Sequence, residues 1–222
     1  MERKIFWGTA IVAVLIAFGS TFIPGAPSEE NLLPWNIEHP TPEITRIFGL
    51  TLKQNSINEA EQRFKEEAKI SLFKSPQGKL AAEAYFDEVT LSGLKAKIAV
   101  AVNIPEAEKQ AMFDRGLRMY GVDSGKKITL IPDDVAQVRK MAISGLTYMP
   151  SVRLEEDTFI RRFGAPARRI KETQSGAVHL LYPQHGLDIT LGGSEKPVLQ
   201  YVAPSDFAGF TAPLIAAGEA VN

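Results

Sequence analysis

Four residues between positions 179 and 188 carry most of the metal- or proton-handling chemistry that this chain can muster. They are His179, Tyr182, His185 and Asp188. Two imidazoles six positions apart could share an ion with a carboxylate across a hairpin. A plainer reading makes one a strand histidine and the other a turn histidine beside Gly186. His179, Tyr182 and His185 are the weak ligand-site candidates, with no metal, cofactor or catalytic set assigned to them. Residues 121–127, "GVDSGKK", have a phosphate-loop flavour but are too short for the full motif and lack its Ser/Thr, so they read as a turn. The acids Asp133–Asp134 and Glu155–Glu156–Asp157 fit helix starts, where negative charge meets the helix dipole. No nucleophile-elbow pattern is present. With no cysteine, thiol catalysis, disulfides and zinc ribbons are excluded. A denser cluster is basic: Arg161, Arg162, Arg168, Arg169 and Lys171 fall at a helix end and the following strand. They are the candidate interaction residues, suited to anionic lipid or an acidic partner.

The elements that position these residues begin with the N-terminus. Arg3 and Lys4 precede an uncharged, largely apolar run over residues 5–23, close to the length that spans a bilayer as a helix. The bases predict a cytoplasmic N-terminus at residues 1–4 and an exported remainder, so an inner-membrane protein with a single pass and a periplasmic C-terminal part. Cleavage after Gly19 would instead make the segment a signal peptide. The run continues through Phe22 and Ile23, which favours an uncleaved anchor. Residues 24–42 hold five of the 14 prolines and read as a semi-rigid spacer. Within it Leu32, Leu33 and Trp35 could pack back or sit at a membrane interface, and His39 reads as solvated. The 222 residues carry 45% hydrophobic and 23% charged content with a net charge of -1, an ordinary globular balance that argues against a nucleic-acid partner.

Beyond the spacer the chain repeats itself. Gly49-Leu50-Thr51 recurs as Gly145-Leu146-Thr147, Ile57 matches Leu154, Phe64 matches Phe163, and Gly78 matches Gly176. Each copy has a short apolar stretch, a helix and a meander of strands. The first helix opens on the Ser56/Glu59 capping box; the second ends at Gly164 with Pro166 following. The alternation of Leu94, Ala96, Ile98, Val100 and Val102 predicts a half-buried strand. Residues 105–121 read as a helix ended by Gly121, then a strand over 126–131 and a helix over 132–140. After Tyr201 periodicity is lost; Phe207 and Phe210 are expected to dock and the last residues to fray. The fold class is α+β: an N-terminal transmembrane helix, then two tandem domains (43–140 and 141–203), each a helix packed on an antiparallel sheet, and a tail at 204–222.

Gly145-Leu146-Thr147, the helix ending in Phe163-Gly164-Ala165-Pro166, and "YPQHGLDITL" over 182–191 together resemble the BamE (SmpA/OmlA) and beta-lactamase-inhibitor-protein-like superfamily of bacterial envelope proteins. In the first copy Lys65-Glu66-Glu67 replace the Gly-x-Pro stop. The resemblance implies a protein-binding module, not an enzyme. Lacking the lipoprotein cysteine, the chain would be held by residues 5–23. The expected function is a membrane-anchored periplasmic adaptor or accessory subunit with an envelope protein partner. A periplasmic enzyme or small-ligand binder, with its site between the domains, is the alternative, and a secreted enzyme inhibitor a second one.

Overall fold

The alternation read at residues 94–102 forms strand β6 (Leu94–Val102), with Ala96, Ile98 and Val100 buried and Lys95 and Lys97 exposed. The computed structural model describes residues 32–122, 125–192 and 196–221. The apolar run, the first part of the spacer and turn residues 123, 124 and 193 therefore lie outside the described residues.

Chain order begins with β1 (Glu38–Thr41), β2 (Ile44–Ile47) and β3 (Leu50–Thr51), which make a small antiparallel sheet. Helix α1 (Ile57–Phe64) follows, its capping box formed on both sides by Ser56 and Glu59. Then come β4 (Lys69–Lys74), β5 (Leu80–Leu91), β6, α2 (Glu106–Asp114), β7 (Arg118–Val122), β8 (Gly125–Thr129), α3 (Pro132–Val138) and β9 (Ile143–Pro150). The second copy continues with α4 (Glu156–Phe163), β10 (Arg168–Lys171), β11 (Val178–Tyr182), a 3-10 turn (Pro183–His185), β12 (Leu187–Leu191) and β13 (Val198–Val202). Helix α5 (Pro204–Ala217) and β14 (Glu219–Ala220) close the sequence of elements. The fold is α+β with antiparallel sheets.

Strands from both copies lie in one 11-stranded sheet, in the order β14-β10-β11-β12-β13-β9-β6-β5-β4-β8-β7. Strand β9 is the seam. Its Leu146 faces Val100 of β6 on one side and Tyr201 of β13 on the other, and both pairings are antiparallel. Side chains alternate across the sheet. One face carries the large core, which takes Ile57 and Phe64 from α1, Met112 from α2, Val138 from α3 and Phe159 from α4. Phe48, Tyr148 and Tyr201 pack together at its centre, with ring centroids 5.1 Å apart for the tilted Phe48–Tyr148 pair and 6.0 Å for the edge-on Phe48–Tyr201 pair. Tyr148 Oη is buried without a hydrogen-bond partner, and burial pushes its pKa up to about 12. On the opposite face a smaller cluster of Ile170, Leu181 and Phe207 seats α5.

Three expectations need correction. The helix expected to reach Gly121 stops at Asp114, and residues 118–122 are strand β7. Gly116 sits at the break, where an added Cβ would lie 2.4 Å from Ile128 Cγ2, so the chain passes too close to β8 for a helical turn with side chains. In the tail, where the sequence shows no periodicity, the end pairs with β10 as β14 and the rest is a 14-residue helix. It has apolar residues on every side, which hides the helical period, and it carries Pro213 internally. The last part of the spacer is also folded. Leu32 packs on the core, Tyr201 Oη donates to the Pro34 carbonyl at 2.7 Å, and the Arg162 guanidinium lies 4.6 Å from the Trp35 ring centroid.

Candidate functional site

His179 and His185 face different neighbours. His179 is buried on the α5 side of β11, opposite Thr190 in register. Its Nδ1 lies 2.9 Å from Asp188 Oδ2, and Asp188 is only 2% exposed. Together with Glu172 and Gln200 they line a cavity of about 340 Å³ beside α5. Burial by itself would lower the His179 pKa, but the Asp188 hydrogen bond and the charges of Asp188 and Glu172 carry it above the usual histidine value. Tyr182 lies on the opposite face, where its hydroxyl donates to the Gly164 carbonyl at 3.1 Å and its ring packs 5.4 Å from Phe163.

His185 ends the 3-10 turn and meets His39 of β1, whose Nε2 is 3.1 Å from His185 Nδ1. Their ring centroids are 5.4 Å apart and the planes are within 17°. Each bonded nitrogen therefore lies close to the line between ring centres, so the rings meet end to end. One proton sits between them, and the lone pairs do not converge as metal ligands would. His39, read as solvated from sequence, is thus tied to a residue 146 positions away. His185 has its pKa lowered by burial and then by His39. Among the described residues no group of three or more His, Cys, Asp or Glu side chains could hold a metal ion.

A raised His179 pKa has a consequence for stability. The unfolded residue titrates near pH 6.5, and the folded one higher. The stability it contributes is complete below the unfolded value and is lost as pH rises through the folded one. Wild-type unfolding free energy should therefore fall more steeply through the neutral range than that of Asp188→Asn, which removes the raising interaction. Denaturant titrations from about pH 5.5 to about pH 9 read this directly; parallel curves would show that Asp188 does not hold the proton.

The basic cluster is divided by the pleat. Arg161 donates to Thr158 Oγ1 at 3.3 Å, Arg162 covers Trp35, and Arg169 pairs with Glu156. Arg168 and Lys171 have no carboxylate partner among the described residues. Arg168 and Arg169 both border a surface cavity of about 500 Å³ that Glu156 and Asp157 also line.

The feature that sequence reasoning missed is the sheet edge at β7. Among the described residues this strand pairs with β8 alone, which leaves its outer backbone groups open there. All five residues are exposed. Leu117 is 61% exposed, Met119 46%, Tyr120 48% and Val122 38%, and these make up four of the six large hydrophobics most open to solvent among the described residues. They occupy both faces, since Met119 stands opposite the core residue Ile128 and Tyr120 opposite the outward Lys127. Lys127 in turn lies 5.7 Å over the Phe73 ring. Edge strands are ordinarily blunted by lysine, proline or bulges; β7 carries only Arg118. The signal in the sequence was a run of residues 117–122 and a second over 126–131, separated by Asp123-Ser124-Gly125, which is a hairpin pattern.

No family model, curated protein or solved structure matches the chain.

Proposed function

We propose that this chain is a membrane-anchored adaptor or accessory subunit of the bacterial envelope, not an enzyme, and that it binds a partner protein by taking one of its strands onto β7. The observation that carries this reading is the open, apolar β7 edge. Adding a strand there satisfies a row of backbone donors and acceptors while Leu117, Met119, Tyr120 and Val122 are covered on both faces. The repeated strand–helix–meander module supports it. The duplication builds a sheet long enough to hold this edge far from α5, at the other end of the strand order. Membrane attachment is assigned to residues 5–23, which lie outside the described residues. Among the described ones no helix is long and apolar enough to cross a membrane. The bases at Arg3 and Lys4 support a periplasmic location for the folded part.

The test is purification of the full chain from mildly solubilised membranes, with its co-purifying proteins identified by mass spectrometry. Lysines are then placed on one face of β7 (Tyr120→Lys with Val122→Lys) and, separately, on the other (Leu117→Lys with Met119→Lys). A stoichiometric envelope partner is expected, and at least one pair of substitutions should reduce its recovery about tenfold or more with the unfolding midpoint unchanged. A partner retained by both variants, or no partner at all, overturns the assignment.

A second reading has one observation of its own, the His179–Asp188 pair beside the 340 Å³ cavity. It makes the chain a periplasmic enzyme or ligand carrier. Alanine at His179 and His185 together separates the two readings: an adaptor keeps its partner, whereas an enzyme or carrier loses turnover or binding.

A further inference from the structure

Helix α5 is unusual in what it leaves uncovered. Its 14 residues include only Ser205, Asp206 and Thr211 as polar side chains, yet only Phe207 and Thr211 are buried. A helix with no polar face is ordinarily enclosed on all sides. Beneath it, toward β10 and β11, lies a cavity of about 540 Å³, walled by Leu181, Phe207, Ala208, Ala212 and Ile215 among others. That volume is within the range of small-molecule sites, ~300–1,000 Å³. The small side chains of Ala208 and Ala212 keep the gap from closing, one turn apart on the helix face that lines it.

One charged residue stands on this wall, Arg168 at the start of β10. The pleat sends its neighbour Arg169 to the other face, where it pairs with Glu156. Arg168 has no carboxylate partner among the described residues. A single cation at the mouth of an otherwise apolar cavity complements one kind of ligand best. A compact polar anion would leave the apolar walls wet, and a neutral hydrocarbon would leave the guanidinium unused.

We propose that the cavity between α5 and strands β10 and β11 binds a single acyl chain with an anionic head group, the chain lying against Leu181, Phe207 and Ile215 and the head group on Arg168. This site is separate from β7, so the two assignments stand or fall independently.

The experiment uses the full chain in phospholipid nanodiscs and a photoactivatable palmitic acid, with labelled peptides mapped by mass spectrometry. Label is expected on residues 204–217 and on the segment around Leu181, and excess oleic acid should compete for it. Ala212→Leu fills the cavity and Arg168→Gln removes the head-group contact; each should reduce that label about tenfold. A probe with an alcohol head should be indifferent to Arg168→Gln. Since Arg168 is exposed, its replacement leaves folding intact and decides the matter if Ala212→Leu disturbs the fold. Three outcomes overturn the proposal. Label on α5 that ignores both substitutions means that the helix simply lies against bilayer. Cross-links from α5 to residues 5–23 mean that the chain's own apolar segment fills the gap. Absence of label means that no acyl chain enters.

Discussion

Tyr201→Ala is expected to lower the unfolding free energy by about 3–5 kcal/mol, the range for emptying a large aromatic site in a well-packed core. Tyr201 is fully buried in β13, facing Leu146 of β9 and Leu187 of β12, and its ring stands edge-on to Phe48. Burial raises its pKa well above the ordinary tyrosine value, so it stays neutral across the physiological range. Its hydroxyl also holds the entry segment through the Pro34 carbonyl. Tyr201→Phe isolates that second role. It should cost only about 1 kcal/mol in denaturant titration while raising amide exchange at residues near 34–36. If alanine were tolerated within ~1 kcal/mol, the aromatic centre would not be the keystone that its position implies.

Gly186→Ala should cost about 2–4 kcal/mol, for reasons of backbone alone. Gly186 has φ +61, and a Cβ there would lie 2.0 Å from the Val202 carbonyl oxygen. Neither partner is a flexible side-chain end. Relief requires moving the backbone that joins them, including the Val202 N–H donation to the Gly186 carbonyl at 2.8 Å. Thr45 Oγ1 bridges the same place, 3.2 Å from the His185 carbonyl and 3.1 Å from that of Val202. The substitution should therefore also part His39 from His185, visible as a change in both imidazole signals by NMR. A variant as stable as wild type, with those signals unmoved, would remove the demand for glycine at this turn.

Local chemistry was readable in the sequence and long-range pairing was not. The Ser56/Glu59 capping box, the Gly164 stop and the alternation of residues 94–102 depend on neighbours within a few positions, and each is present. Strand β7 was hidden because the helix over residues 106–114 leads straight into it, with Gly116 the one local sign of a stop; the break there reflects contact with Ile128, twelve residues on. Helix α5 was hidden by lacking a polar face. The candidate histidines show the same limit. His179 and His185 lie six apart in sequence, but the pleat and the turn hand one to Asp188 and the other to His39. The β7 edge was legible in principle from its hairpin spacing.

The central place of β9 bears on how the chain is made. Strands β4, β5 and β6 leave the ribosome before β9 does, so the nascent polypeptide carries β6 as a bare edge until about residue 150 is available to pair with it. That edge includes Ile98 and Val100, which are solvent-free in the finished protein. The interval is a window for wrong pairing, either with another nascent copy or with a strand of a different chain. It closes only when β9 docks, and β9 then becomes the template on which β13 and the rest of the second copy assemble. A fragment ending near residue 140 should for that reason aggregate, whereas the full chain should unfold in one cooperative step, without a separate transition for either half.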